Sequence, residues 1–149
     1  MAALKSPRRR ARELALQVLY AWQVAGAAAG DLVEQMRALE GHDKADAALA
    51  ESLVRGVVGR AAELRPMIEE FIDRSFESLS PVERGILYIG AFELAQGVEP
   101  PFKVVLNEAI ELGKSFGGTG GHKYVNGVLE KLAARLRPAE VAAVRRATA

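Results

Sequence analysis

Cysteine is absent from the chain, which excludes disulfide scaffolds, thiolate metal sites and thiol nucleophiles. Histidine is nearly absent: His42 and His122 lie eighty residues apart, so a histidine-built metal site is not expected. Aromatics make up only 6% of residues and β-branched runs are few, which argues against an all-β design. No apolar run reaches membrane length, the longest being Gly85 to Phe92. The N-terminus carries charges and then a helical pattern, without the apolar core of a signal peptide. No segment alternates with period two and no internal repeat is visible. What is present is alanine, leucine and valine in a chain of 149 residues that is 50% hydrophobic. That is enough for one domain, or for two small subdomains sharing a core. The expectation is a soluble, cytoplasmic, helical protein.

The net charge of +1 conceals a polarised chain. Residues 1–12 carry Lys5, Arg8, Arg9, Arg10 and Arg12 with no acid, residues 13–100 are net −8, and residues 101–149 are net +4. Two basic ends could form one phosphate-binding surface if the fold brings them together. The alternative is that Arg8-Arg9-Arg10 is a solvated, flexible terminus.

Periodicity predicts a helix from Arg9 to Gln23, with Pro7 ahead of it. Ala11, Leu14, Ala15, Val18, Leu19 and Trp22 share its apolar face, and Arg9, Arg10, Arg12, Glu13, Gln17 and Tyr20 the opposite one. Gly26 and Gly30 mark a loop, and a weaker helix is expected from an N-cap at Asp31 to before Gly41. Residues 45–76 read as one helix or two, broken or kinked at Pro66. Ser80-Pro81-Val82-Glu83 is a capping box with proline where no donor is needed. It opens a helix to Ala95 that is apolar on nearly every side and so belongs at the centre of a bundle. Gly85 and Gly90 within it imply close approach by neighbouring helices. An amphipathic helix from Phe102 to Phe116 follows, then the turn Gly117–Gly121. A further helix runs from His122 to Leu136, Pro138 stops it, and a short basic tail helix reaches Arg146. The reading is all-α: a compact bundle of about seven helices.

Candidate chemistry is sparse. The glycine-rich turn is not a phosphate loop, because Gly121-His122-Lys123-Tyr124 lacks the glycine directly before lysine and no strand precedes it. Backbone N–H groups at a helix start beside Lys123 can still hold one phosphate, and His122 either helps cap that helix or contacts a phosphate. Glu108 and Glu111 share a face as solvated i, i+3 acids rather than a catalytic pair. No catalytic residue, cofactor or metal is expected. Tyr20 and Tyr124 each set a ring in basic surroundings, the first among the arginines and the second near Lys131. Such rings either stack on the bases of single-stranded RNA or seal the rim of the core.

The blocks PRRRARELALQVLYAWQ (7–23), SPVERGILYIGAFEL (80–94), PFKVVLNEAIELGKSFG (101–117) and HKYVNGVLEKL (122–132) resemble the NusB family of bacterial transcription antitermination factors. Residues 26–79 match only in length and helical character. The resemblance implies two three-helix subdomains packed together, about 8–78 and 80–147, with residues 1–7 as a flexible basic arm. It implies binding of the boxA element of nascent RNA, notably in ribosomal RNA operons, jointly with NusE, a small-subunit ribosomal protein. The pair would join elongating RNA polymerase with other Nus factors. The RNA-binding positions it implies are Arg8, Arg9, Arg10, Gln17, Tyr20, Lys114, Phe116, Lys123 and Tyr124, and the NusE contact uses Glu83 and its neighbours.

Relatives often carry acidic or hydroxyl side chains where this chain has Gly120-Gly121, so loop contacts here would come from backbone alone. Some relatives self-associate, and a homodimer covering the arginines would compete with RNA. Two alternatives stay open. One is the NusB-like domain fused to RNA cytosine methyltransferases, which calls for an α/β domain downstream of Ala149. The other is a helical adaptor without an RNA or antitermination role.

Overall fold

The computed structural model describes residues 5–116 and 121–148. Among them are seven α-helices and two 3₁₀ turns and no strand: α1 (Pro7–Ala25), α2 (Ala29–Arg37), the turn His42–Lys44, α3 (Ala47–Glu69), the turn Phe76–Ser78, α4 (Pro81–Ala95), α5 (Phe102–Phe116), α6 (Gly121–Leu136) and α7 (Pro138–Thr148). The chain divides into two units inside α3, between Arg60 and Ala61. No described helix is long and apolar enough to cross a membrane.

In the first unit α1 starts at an N-cap: Ser6 Oγ accepts from the Arg9 N–H at 3.1 Å, and Pro7 occupies the first turn, where its missing donor costs nothing. It stops at Gly26, whose φ of +70° lets its N–H reach the Trp22 carbonyl at 2.8 Å. The expected apolar stripe from Ala11 to Leu19 is buried. The polar face needs one correction. Arg12 is only 2% exposed, and with Leu16 one turn later it forms a second buried stripe, so α1 is enclosed on two sides. Among the described residues no buried side-chain nitrogen or oxygen lacks a hydrogen-bond partner.

α2 packs on α1 and buries Leu32, Val33 and Met36. Asp31 is not its N-cap; that position is Ala28, with no side-chain cap, which leaves Asp31 in the first turn, where its charge faces the positive end of the helix dipole. α3 does not break at Pro66. The proline falls in the final turn, so the one helical donor it removes is lost where only three residues of helix remain. The helix ends three residues later, and Phe71 and Ile72 lie beyond it.

The second unit is built on α4. The capping box is formed, with Ser80 Oγ accepting from the Glu83 N–H and Glu83 Oε1 from the Ser80 N–H, both at 3.1 Å. Every residue from Gly85 to Leu94 is buried, as the all-round apolar pattern requires. α5 and α6 pack against α4 and against each other, and α7 packs on α6. Gly90 admits α6 closely: a Cβ there would lie 2.8 Å from both methyls of Leu129. At Gly113 a Cβ would lie 2.5 Å from His122 Cβ and 3.0 Å from its Cα, so the end of α5 touches the start of α6 without space for a methyl. Because backbone cannot swing aside, Gly113→Ala is expected to cost about 1–3 kcal/mol. Gly59→Ala, on an open helical surface, should instead stabilise by about 0.5–1 kcal/mol. Urea denaturation of the two variants checks this, and effects of the same sign would contradict it.

Candidate nucleic-acid interface

The nine residues expected to meet RNA fall into two sets, five on α1 and four in the second unit. On α1, Arg8 is exposed and sits 3.7 Å from Asp46 Oδ2, while Arg9 and Arg10 are half-buried. Gln17 and Tyr20 are exposed about two and three turns further along; Tyr20 leaves 47% of its surface in water. Helical periodicity puts Arg9, Arg10, Gln17 and Tyr20 on one side of α1, so cations, an amide and a ring share one face.

In the second unit the set gathers where α5 ends and α6 begins. Lys114 is exposed, 3.9 Å from Glu111, and Phe116 is 38% exposed. The close contact of Gly113 with His122 brings these residues near the start of α6, where Lys123 is exposed and His122 half-buried. The turn at Gly117–Gly120 lies outside the described residues; Gly121 is the first residue of α6 and its Cα faces Glu83, whose Oε2 would lie 3.8 Å from a Cβ there. Glu83 is therefore at once the reciprocal cap of α4 and a neighbour of the start of α6.

Tyr124 is half-buried and held. Its hydroxyl donates to Asp73 Oδ1 at 2.9 Å and accepts from the Asp73 N–H at 3.3 Å. The Arg74 guanidinium lies 4.2 Å from the ring centroid and its Nε donates to the same Asp73 oxygen at 2.9 Å. The Arg74 and Tyr124 hydrogen bonds hold the Asp73 carboxyl below the usual carboxylate range. Burial pushes the Tyr124 hydroxyl up, so it remains a neutral donor. The ring is neither simply a rim seal nor a free stacking platform. One face carries the Arg74 guanidinium, a cation that is paired with Asp73 and that sequence reasoning did not assign. The partners are separated by 51 residues and no periodicity connects them.

A second unassigned group is Arg137, at 6% exposure. Its guanidinium donates to the carbonyls of Glu93 (2.8 Å), Leu94 (3.0 Å) and Pro100, and to Glu140 Oε1 (3.1 Å). The other Glu140 oxygen accepts from the Phe102 N–H at 2.8 Å. One buried ion pair thus ties the end of α4 to the start of α5. That link fixes where α5 delivers Lys114 and Phe116.

No group of three or more potential metal ligands occurs among the described residues. The arrangement offers cations, N–H donors and rings, which suit a phosphodiester with unpaired bases.

Comparison with known proteins places the chain among relatives of one family. Transcription antitermination protein NusB of Burkholderia lata is 52% identical over 141 residues, covering 95% of this chain and 97% of that protein. The protein of the same name from Burkholderia vietnamiensis matches to the same extent. A crystal structure of antitermination factors NusB and NusE in complex with dsRNA superposes with a TM-score of 0.76 at 28% identity, over 87% of this chain and 97% of that one. Thermotoga maritima NusB does so with a TM-score of 0.77 at 28% identity, over 87% of this chain and 92% of that one. Residues 9–134 match the NusB family profile, and the chain belongs to the NusB family.

Proposed function

We propose that this protein is a non-catalytic transcription antitermination factor that binds boxA RNA of nascent transcripts together with NusE. The pair then joins elongating RNA polymerase with the other Nus factors. Membership of the family and the names of its relatives support the antitermination role, and the NusB–NusE–RNA complex among the structural neighbours supports the partners. The observation that carries the RNA reading is the face of α1, where an exposed tyrosine stands among arginines and a glutamine. The nucleic acid of that neighbour is double-stranded; the preference proposed here for single strands rests on the rings, since stacking needs an unpaired base.

In this reading Arg8, Arg9, Arg10, Lys114 and Lys123 neutralise phosphates, Tyr20 and Phe116 stack, and Tyr124 presents its remaining face with Arg74 behind it. Glu83 lies in the NusE contact. The α1 set and the α5–α6 set each contribute contacts to the RNA.

Titration of labelled boxA RNA, with and without purified NusE, tests the proposal: binding should tighten when NusE is present. Tyr20→Ala should weaken the RNA by roughly 1–3 kcal/mol, or five- to 150-fold in Kd. An unchanged Kd would remove stacking from the account. RNA binding unaffected by NusE would remove the joint surface.

A further inference from the structure

The face of α1 that carries Arg10 and Gln17 is one wall of a groove of about 610 Å³ in the first unit. The opposite wall is the loop 39–44, which contributes Glu40, Asp43 and Lys44. Nothing in the RNA reading above uses this loop, and its acids would repel a phosphate.

The loop is a built wall. Gly41 adopts a φ of +88°, a turn that other residues make at a cost, and the Lys44 N–H returns to the Gly41 carbonyl at 3.0 Å. Beyond it the Asp46 N–H donates to the Pro7 carbonyl at 2.9 Å, which pins the loop to the first turn of α1. The Asp46 carboxylate caps α3 through the Leu49 N–H at 3.0 Å and faces Arg8 at 3.7 Å. The spacing between wall and helix is thus set by backbone bonds. Arg10, Glu40, Asp43 and Lys44 all line the groove, yet none of them forms an ion pair among the described residues. Donors and acceptors of both signs stand opposed across a space of the size that small ligands occupy.

We infer that this groove is a base-reading subsite that takes an unpaired guanine from the RNA bound on α1, with Glu40 and Asp43 as its specificity-determining residues. It rests on the RNA reading. Among the four bases, guanine alone presents two adjacent donors, N1–H and the N2 amino group, on its Watson–Crick edge, matching the two oxygens of one carboxylate. Its O6 and N7 acceptors suit Arg10, Lys44 or the Gln17 amide. A carboxylate gains nothing from uracil's carbonyl-rich edge. The acids therefore subtract affinity from most bases and return it for one, which is how discrimination arises.

The test uses the full chain and three labelled single-stranded 12-mers: all-uridine, the same with one central guanosine, and the same with one central adenosine. Fluorescence anisotropy should give the guanosine oligonucleotide about tenfold tighter binding than the other two. The double variant Glu40→Gln, Asp43→Asn should bring the three within about twofold, while its all-uridine affinity stays equal or tightens. Equal binding of all three by the unaltered protein, or a preference that survives in the variant, overturns the subsite alone. Failure to bind any of the three overturns the RNA reading, and the subsite with it.

Discussion

Arg137→Met is expected to destabilise the protein by about 3–5 kcal/mol, roughly 10–15 °C in Tm. The guanidinium is buried and bonds to three backbone carbonyls, two of them in the last turn of α4; the Glu93 carbonyl also accepts from the Gln96 N–H at 3.3 Å. Its positive charge also faces the negative end of that helix. A methionine of similar length fills the space but removes the donor of the Leu94 and Pro100 carbonyls and strands the Glu140 carboxylate without its cation. Glu140→Gln is the control. It loses the charge but keeps an acceptor for the Phe102 N–H, so its cost should be less than half that of Arg137→Met. Thermal and urea unfolding measure both, and a loss under about 1 kcal/mol for Arg137→Met would refute the role assigned to the pair.

Replacing Arg8, Arg9 and Arg10 together by alanine is expected to weaken single-stranded RNA by about 100-fold at 0.1 M salt. Each neutralised phosphate of a single strand contributes about 0.7 to the slope of log K against log salt, so three contacts contribute about 2. The deficit should shrink as salt rises and nearly vanish toward 1 M, which separates lost charge from lost fold. Stability should change little, because the ion pair of Arg8 with Asp46 is between partly exposed groups. Binding measured from 0.05 to 0.5 M salt decides it. A deficit that stays constant with salt would mean the arginines act through structure rather than through phosphate.

Much of this architecture was legible because its signals are local. The reciprocal cap at Ser80 and Glu83, the all-round apolar α4 and the amphipathic α5 are each written within a few residues. Glycine at 90 was readable as a contact, though not with whom. The features that escaped are those whose partners are distant in sequence or lack side-chain identity. Arg137 bonds to carbonyls 37 to 44 residues away, and any sequence supplies carbonyls. Tyr124 could be placed near lysines but not on Asp73 and Arg74. Arg12 was assigned to the polar face because a single-stripe helix is the default pattern, whereas α1 is enclosed on two sides. Asp31 and Pro66 were misread for one reason: a cap or breaker residue says that a boundary is near, not on which side. For the interface, the residue types were readable and the loop 39–44 was not, since it becomes a wall only once Gly41 turns it back toward α1.

The central claim is that RNA binding draws phosphate contacts from both the α1 set and the α5–α6 set. Its most direct test is the salt slope of four proteins on the same boxA oligonucleotide: the parent, the triple arginine variant, Lys114→Ala with Lys123→Ala, and all five changes together. If both sets contact phosphate, the slopes fall by about 2, about 1.4 and about 3.5 respectively, at unchanged one-to-one stoichiometry. A lysine pair whose removal leaves the slope untouched, in either background, would contradict the claim by taking the α5–α6 set out of the RNA contact.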